Sequence, residues 1–522
     1  MELKLKPLWQ DRLFWAAMAA GGFVLFLTLW FGIGVDSAVM SYCSWVWKHH
    51  GLPPYVGCKE GDFPGIFIIH RLSLLCGEDV LGFRIFDVLV QMAVLVMIFY
   101  LARRLSGLSL AGLLAVLFYS TYYYGLWFPM VGEREGFVLA MMLAAVVGRL
   151  VLGGWKLAGS LLTGLLAGFA FLTKPTFGLL WPVFGAWILW DRFRQRPGRV
   201  LRELAVFAGG CLLPGLLAVL YYWQRGALFS LYEMLYVFPV QVYLKMPSTT
   251  EGPLQALPLL LDRILHEGFA ALAGALIGLV LLWFYGGRKE RRLYWVIIVL
   301  CAVGFISADL QYRNGLWEYH RTPFWGLCFI LAGGGWAWVL KLIRGERGKL
   351  FRRLLQMGLA AALLVLMFLR IPSDVRYFAL HHSFGSLQKA YLAQYPLPEM
   401  AAEQLKAKLR PGDQVYYLGN ISMLPFLLQH KLAAPFPYPL FLYMPRADGS
   451  FAPLQERWRD EYADGFLKIR PRFFIFDTYC QDCEGQSLAS TLKFRFPEIQ
   501  AVLEREYHLA HKLYGIEVYE RN

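Results

Sequence analysis

The chain has 522 residues, of which 57% are hydrophobic and only 17% are charged, and its mean hydropathy is +0.45. This composition is too apolar for a soluble globular protein of this length and predicts a polytopic membrane protein. A net charge of +14 often accompanies nucleic-acid binding, but here the basic residues lie in short loops between apolar runs, as the positive-inside rule predicts. We therefore expect membrane lipids, and no nucleic acid, among the partners.

The first apolar run, residues 13–33, is followed almost at once by Asp36. It is long enough to cross a bilayer and lacks a small-residue cleavage site, so we expect a retained anchor and not a cleaved signal peptide. Similar runs predict about eleven transmembrane helices in all. The runs are residues 13–33, 81–101, 108–124, 134–152, 157–172, 176–190, 204–223, 268–286, 293–308, 321–340 and 354–370.

Basic residues occur in every second loop, which an eleven-span chain with a cytoplasmic amino terminus requires. The remaining loops are then expected to face outward, and they carry most of the acids, histidines and aromatic residues. These outward loops are residues 34–80, 125–133, 173–175, 224–267 and 309–320.

The first outward loop predicts two short interfacial helices, Ser37 to His50 and Phe63 to Leu75, with Pro64 in the first turn of the second. Asp36 lies just before the first of them, where a carboxylate is hydrated yet partly shielded, as a general base requires. The same residue would also serve as a cap for that helix. Catalysis and capping both remain open for Asp36.

Charged residues also cluster at the outer start of the fourth span, in the run Glu133, Arg134 and Glu135. Two carboxylates and a guanidinium are costly inside hydrocarbon, so such a cluster marks either a functional site or an interfacial salt bridge that fixes the span. Before the tenth span, residues 311–321 contain arginines and a histidine that would neutralise a phosphate diester, or form an aromatic and charged belt.

Cysteines fall into two groups. Cys211, Cys301 and Cys328 lie in apolar runs and are interpreted as packing residues. Two pairs lie in predicted outer segments, where disulfides persist: Cys43 with Cys58, and Cys480 with Cys483. The spacing of the second pair also occurs in redox and metal sites, but no second cysteine pair or histidine spacing supports zinc.

After Arg370 the sequence becomes polar, and the strand-like runs 414–418 and 472–477 alternate with helical patterns such as Met400 to Leu409. The fold class predicted is therefore a polytopic α-helical membrane protein with an extracytoplasmic α/β domain. The domain boundaries predicted are 1–370 for the membrane domain and 371–522 for the α/β domain.

Several short motifs resemble those of the GT-C superfamily of membrane glycosyltransferases, which use polyprenyl-phosphate sugars and include protein O-mannosyltransferases and the aminoarabinose transferases of lipid A. They are Asp36 itself, G-L-P-P-Y at 51–55, G-D-F-P-G at 61–65, G-F-R-I-F-D at 82–87, G-F-A-F-L-T-K-P-T at 168–176 and Y-H-R-T-P at 319–323. The resemblance covers roughly residues 13–340 and, more loosely, the α/β domain. It implies a GT-C fold with two interfacial helices in the first outer loop.

The resemblance implies that Asp36 deprotonates the acceptor hydroxyl and that Glu133 or Glu135 matches a second acidic position, so Asp36 and Glu133 are the predicted catalytic residues. Many relatives have a Lys-Pro-Pro element where this chain has D-F-P-G, so the cation for the donor phosphate must come from Arg134, Lys174, Arg313 or His320. The candidate substrate-binding residues are Asp62, His70, Arg84, Arg134, Glu135, Lys174, Arg313, Tyr319, His320 and Arg321.

The function implied is inverting transfer of a hexosyl or pentosyl group from a polyprenyl-phosphate donor to a hydroxyl of a glycan, lipid or protein, on the periplasmic face of a bacterial inner membrane. No cofactor is implied with certainty; a divalent cation occurs in this superfamily, but no ligand spacing here requires one. The alternatives are a flippase or transporter of polysaccharides or lipid-linked sugars, and an O-antigen polymerase or ligase. A transporter would more often place ionisable groups near mid-membrane.

Overall fold

The computed structural model describes residues 7–126, 130–152, 156–192, 197–247, 252–285, 288–312, 317–343, 356–359, 361–365, 397–419, 421–477, 488–513 and 516–522. The chain divides into two compact units. The first unit contains residues 1–31, 84–216 and 249–387, and the second contains residues 32–83, 217–248 and 388–522. Each unit is therefore assembled from three stretches that are far apart in the sequence.

Helices dominate the first two thirds of the chain. In chain order they are α1 (Arg12–Phe26), α2 (Val35–His50), α3 (Pro64–Ser73), α4 (Val80–Ser106), α5 (Ser109–Gly125), α6 (Arg134–Val151), α7 (Lys156–Thr173), α8 (Leu180–Arg192), α9 (Pro197–Gln224), α10 (Leu228–Tyr232), α11 (Phe238–Gln241), α12 (Pro253–Tyr285), α13 (Arg288–Asp309) and α14 (Thr322–Leu342).

Six helical stretches among the described residues are long and apolar enough to cross a membrane. They are Arg12–Trp30, Val80–Ser106, Gly198–Gln224, Pro253–Leu281, Arg291–Asp309 and Glu318–Leu342. The chain is thus a multi-pass membrane protein, as its composition predicts. The count of eleven spans stays a prediction, because the run 354–370 lies partly outside the described residues.

The predicted span that begins at residue 268 coincides with a break in α12. Gly268 has the non-helical values φ −150° and ψ 36°, and two helical stretches meet there across a kink. Residues 253–267, which are predicted from the sequence as part of an outward loop, form the first of these two stretches.

Within the first unit, α14 is the central element and packs against α12, α5 and α13. Glycines allow α12 and α14 to approach closely, since a Cβ added to Gly335 would lie 2.0 Å from the carbonyl oxygen of Gly274. Small residues at such a crossing bring two backbones into van der Waals contact, the main attraction between helices in lipid. The buried core of this unit is therefore fixed by backbone proximity as much as by large side chains.

The second unit contains both predicted interfacial helices, which are confirmed as α2 and α3. Asp36 lies in the first turn of α2 and Lys48 in its last turn, so these two charges complement the helix dipole. The helix ends at Gly51, whose φ of 67° is the left-handed conformation that favours glycine. Pro64 occupies the first turn of α3, as predicted.

The carboxy-terminal part of the second unit is an α/β structure built on a four-stranded sheet of order β1-β2-β4-β3. The strands are β1 (Val415–Leu418), β2 (Phe473–Asp477), β3 (Tyr507–Leu513) and β4 (Ile516–Arg521). β1 and β2 pair in parallel, and the other pairs are antiparallel. The two strands predicted from the sequence are confirmed, and every residue of both is buried.

The helices of this part are Leu397–Lys406, Met423–Leu428, Leu440–Tyr443, Pro453–Ile469, Leu488–Arg495 and Pro497–Glu506. The first of them, Leu397–Lys406, is shifted by three residues toward the amino terminus relative to the predicted helix, Met400 to Leu409. The predicted domain boundary between residues 370 and 371, and the pair Cys480 and Cys483, lie outside the described residues. The boundary therefore stays a prediction.

Candidate functional sites in the two units

Asp36 lies in the second unit, half-buried in the first turn of α2. The helix dipole stabilises a carboxylate at this position. The start of α2 is held by the α/β part of the same unit, because the Ser422 hydroxyl donates to the Val35 carbonyl at 3.1 Å. About two turns further on, the Leu432 backbone N–H donates to the Tyr42 hydroxyl at 2.7 Å. Asp36 is therefore carried by a helix with a fixed position in its unit.

The disulfide between Cys43 and Cys58, predicted as a possibility from the sequence, is present. It joins the middle of α2 to the loop before α3, and both cysteines are fully buried. In that loop the Tyr55 hydroxyl donates to the backbone carbonyl of Asp62 at 2.5 Å, while the Asp62 side chain is half-buried. The loop that contains the candidate Asp62 is therefore covalently attached to the helix that carries Asp36.

His70 lies in the packing between α2 and α3. Its Nδ1 is 2.8 Å from the Ser41 hydroxyl, and its ring stacks on Phe83 with centroids 5.0 Å apart. The side chain is 1% exposed, and this burial lowers the pKa of His70 to about 3. The enclosed imidazole thus holds α2 and α3 together, and the substrate-binding role suggested for His70 stays a prediction.

The first unit brings three other candidates together. Glu135 lies in the first turn of α6, Lys174 follows α7, and His320 lies in the short 3₁₀ turn Glu318–Arg321 before α14. Lys174 Nζ forms an ion pair with Glu135 Oε1. His320 Nδ1 lies 2.6 Å from the same oxygen and 3.2 Å from Lys174 Nζ. We call these three residues the Glu135 cluster.

The Glu135 cluster is buried, with exposures of 1% for Glu135, 6% for Lys174 and 1% for His320. A buried charge is stable only when it is paired and hydrogen-bonded. Here the carboxylate and the ammonium neutralise each other, so Lys174 is engaged within the protein. Arg134, the first residue of α6, is half-buried and close enough to interact electrostatically with both Glu135 and Lys174. Glu133 is the N-cap of the same helix and is 3% exposed.

A second polar network in this unit includes residues that sequence reasoning missed. Arg84, a predicted site residue, donates from Nη1 to the Val131 carbonyl at 2.6 Å. One turn along α4, Asp87 Oδ1 accepts from the Tyr123 hydroxyl at 2.7 Å and from Gln91 Nε2 at 3.1 Å. Arg84, Asp87 and Gln91 are fully buried. The detectable signal was an arginine and an aspartate three residues apart in an otherwise apolar run.

Arg321, another predicted site residue, binds Glu267 through two hydrogen bonds, one of them from Nε at 2.8 Å. Trp325 Nε1 donates to the same carboxylate at 3.2 Å. Sequence reasoning missed Glu267, although it lies next to the kink at Gly268. The pairing fixes the start of α14 to α12, so Arg321 has a structural partner.

The last two candidate residues are Tyr319 and Arg313. Tyr319 is 8% exposed and its ring contacts that of His320, with centroids 4.2 Å apart. Arg313 lies outside the described residues. Among the residues that the structure describes, no group of three or more histidine, cysteine or acidic side chains is arranged to hold a metal ion. Asp36, Asp62 and His70 belong to the second unit and the other described candidates to the first.

Comparisons with known proteins identify the fold. Residues 64–223 match the family model described as dolichyl-phosphate-mannose-protein mannosyltransferase. The structure of ArnT from Cupriavidus metallidurans bound to undecaprenyl phosphate matches with a TM-score of 0.57 at 16% identity, covering 98% of both chains. The same protein in the apo state matches with a TM-score of 0.54 at 15% identity, covering 97% of both chains.

The archaeal oligosaccharyltransferase AglB from Archaeoglobus fulgidus, in complex with an inhibitory peptide and a dolichol-phosphate, is also similar. It matches with a TM-score of 0.51 at 11% identity, over 97% of this chain and 74% of AglB. No curated protein matches the chain by sequence. The resemblance to the GT-C superfamily that the sequence indicates is thus confirmed, and this multi-pass membrane protein has the GT-C fold.

Proposed function

We propose that the protein is an inverting glycosyltransferase that moves a sugar from a polyprenyl-phosphate donor to an acceptor hydroxyl at the outer face of a bacterial inner membrane. The acceptor oxygen forms a bond to the anomeric carbon while the bond from that carbon to the phosphate oxygen breaks. The phosphate leaves as an anion, and the hydroxyl proton passes to Asp36. One general base therefore suffices, because the leaving group needs no proton.

The observation that carries this proposal is the half-buried carboxylate of Asp36 at the start of an interfacial helix. A general base needs partial shielding from water, and the half-burial of Asp36 supports that role. The disulfide between Cys43 and Cys58 supports an outward location for the same segment, because disulfides persist in oxidising compartments. The carboxylate would then act on the side where lipid-linked sugars are consumed.

The donor class is proposed from the relatives and from charge. ArnT was solved with undecaprenyl phosphate and AglB with a dolichol-phosphate, and we propose the same class of lipid for this chain. Of the cations that the sequence offers for the phosphate, Arg134 is favoured, because it lies at the amino-terminal end of α6, where helix dipoles attract anions. Lys174 is held by Glu135 and Arg321 by Glu267. Glu133, the N-cap of α6, is proposed to orient Arg134 or the acceptor.

The test uses the purified full-length protein with undecaprenyl-phosphate glucose, mannose and arabinose and a set of glycan, lipid and peptide acceptors. Release of undecaprenyl phosphate is measured. We expect release with at least one donor, and we expect Asp36→Asn to lower turnover by a factor of about 10² or more while donor binding is retained. Asp448→Asn, which removes an exposed carboxylate of the same unit, is the matched control and should keep full turnover.

Two outcomes would contradict the proposal. No release with any donor would exclude transfer from these lipids. Full activity of Asp36→Asn in moving lipid-linked sugar across a vesicle membrane, without release of lipid phosphate, would favour the alternative of a flippase, which needs no base at this position.

A further inference from the structure

The hydrogen bonding within the Glu135 cluster fixes which ring nitrogen of His320 carries the proton. Its Nδ1 lies 2.6 Å from Glu135 Oε1, a distance that two lone pairs would not tolerate, so a proton lies between them. The carboxylate is ionised by its pairing with Lys174, which places the proton on Nδ1 of the imidazole. A second proton, which would give the ring a positive charge, is disfavoured by the Lys174 ammonium 3.2 Å away. His320 is therefore the neutral tautomer with a lone pair on Nε2.

Two acceptor atoms of the cluster remain without a donor. His320 Nε2 and Glu135 Oε2 are both buried, and neither has a hydrogen-bond partner among the described residues. Leaving a buried acceptor unsatisfied costs about 1–3 kcal/mol, and more for a charged group. Two such atoms on side chains that are each 1% exposed indicate a position that a hydrogen-bond donor occupies in the working protein.

We propose that these two atoms accept hydrogen bonds from hydroxyl groups of the sugar carried by the donor lipid, and that they do not contact its phosphate. The inference rests on the proposed function and corrects the role that the sequence suggests for His320. A phosphate diester offers only acceptors, so it would face a lone pair and a carboxylate oxygen and be repelled. A sugar ring offers hydroxyl donors that match both atoms. The cluster is thus a specificity site for the glycosyl group.

The proposal predicts that the sugar and the lipid phosphate contribute separately to the binding affinity. The full-length protein in detergent is titrated with undecaprenyl phosphate alone and with undecaprenyl-phosphate glucose, mannose and arabinose. We expect wild type to bind at least one sugar-bearing lipid about tenfold more tightly than the bare lipid, which is the value of one or two good hydrogen bonds. His320→Phe, which keeps a ring but removes the acceptor, should reduce this preference to about onefold and leave the affinity for the bare lipid unchanged.

A deoxy series of the preferred donor identifies the hydroxyl. The donor that lacks the contacting hydroxyl should bind wild type as weakly as the complete donor binds His320→Phe, and the two changes together should cost no more than either alone. Glu135→Gln, which replaces the Oε2 acceptor by an amide, gives an independent reading if His320→Phe does not fold. Ser307→Ala is the matched control, because it removes the hydrogen bond to Thr176 in the same unit and should leave the preference intact.

Each contrary result has a separate meaning. If His320→Phe weakens bare and sugar-bearing lipids equally, the cluster contacts phosphate and the inference is wrong. If the variants leave the preference unchanged, an enclosed water satisfies these atoms and the inference is also wrong, although transfer can still be measured. If wild type binds neither lipid, the proposed function itself fails.

Discussion

Tyr123 illustrates how one buried hydroxyl connects elements that are separate in the sequence. Its Oη donates to Asp87 on α4 and accepts from the backbone N–H of Gly132 at 2.9 Å. Gly132 has φ 83°, a conformation that favours glycine, and precedes Glu133, the N-cap of α6. The turn that positions Glu133, Arg134 and Glu135 is therefore held by a side chain of the preceding helix, α5.

Tyr123→Phe should lower the free energy of unfolding of the first unit by about 1–3 kcal/mol, because a buried carboxylate oxygen and a buried N–H each lose a partner. Thermal unfolding in detergent measures the loss. Tyr100→Phe, a half-buried tyrosine on α4, is the control and should change stability by less than about 0.5 kcal/mol. Equal effects of the two variants would show that the Tyr123 bonds contribute nothing specific.

Single residues were only partly predictable from the sequence. Glu135, Lys174 and His320 were all candidates, because ionisable side chains at the ends of apolar runs are conspicuous. Their mutual pairing was not predictable, since Lys174 is 39 residues from Glu135 and His320 is 185 residues away. Sequence spacing carries no distance information across helices that meet only in the folded protein. Lys174 was therefore identified as a candidate cation, and Glu135 as a candidate acid, without the ion pair that joins them.

At the scale of elements, the disulfide between Cys43 and Cys58 restrains α2 and the loop before α3. It closes a loop with a sequence separation of 15 residues, for which loop-closure entropy gives about 3 kcal/mol of stabilisation. The double variant Cys43→Ser with Cys58→Ser should therefore lose about 3 kcal/mol of stability, measured as a lower unfolding temperature, and should migrate identically with and without reductant. Cys76→Ser, at a free and half-buried cysteine, should match wild type in both measurements.

The kink in α12 gives a second prediction about an element. A Cβ added to Gly268 would lie 2.2 Å from Cη2 of the fully buried Trp325. Gly268→Ala must therefore displace the indole that donates to Glu267, and we expect a loss of about 1–3 kcal/mol. Gly215→Ala in α9, where a Cβ would meet nothing within 4 Å, should be neutral or stabilising by up to about 1 kcal/mol. Thermal unfolding of both variants measures these changes in stability. If Gly268→Ala is as stable as wild type, the predicted clash with Trp325 is wrong.

Elements were predicted well where hydrophobic periodicity is strong. The interfacial helices α2 and α3 and the strands β1 and β2 lie within a few residues of their predicted limits. Residues 253–267 were assigned to an outward loop, yet they form the first helical stretch of α12, before the kink at Gly268. Asp262, Arg263, His266 and Glu267 interrupt the apolar run there, so composition alone separated two helical stretches that the backbone joins.

At the scale of the molecule, the second unit depends on contacts between three distant stretches of the chain. Glu233, which is 6% exposed, accepts from Trp458 Nε1 at 2.9 Å and pairs with Arg457. Lys59 binds Glu461 at 2.6 Å and lies over the rings of Phe436 and Trp458. The helix Pro453–Ile469 therefore contacts both of the other stretches.

Glu233→Ala should destabilise the second unit by about 2–3 kcal/mol, because the buried Trp458 N–H loses its acceptor. Limited proteolysis of the carboxy-terminal part should accelerate accordingly. Glu461→Ala removes a carboxylate that is 47% exposed, and pairs of this kind contribute about 0–1 kcal/mol. A larger effect of Glu461→Ala than of Glu233→Ala would show that the bonds of Glu233 to the helix Pro453–Ile469 are not the stronger of the two sets.

The three-part composition of the second unit has a consequence for biogenesis. Residues 32–83 leave the ribosome hundreds of residues before 388–522, the stretch that supplies Ser422 and Leu432 to bind α2. During synthesis α2 and α3 must therefore remain incompletely buried until the carboxy-terminal stretch has been made. Oxidation of Cys43 and Cys58 needs no such delay, so a covalent link formed early would hold the nascent segment in a native-like shape until its late partners arrive.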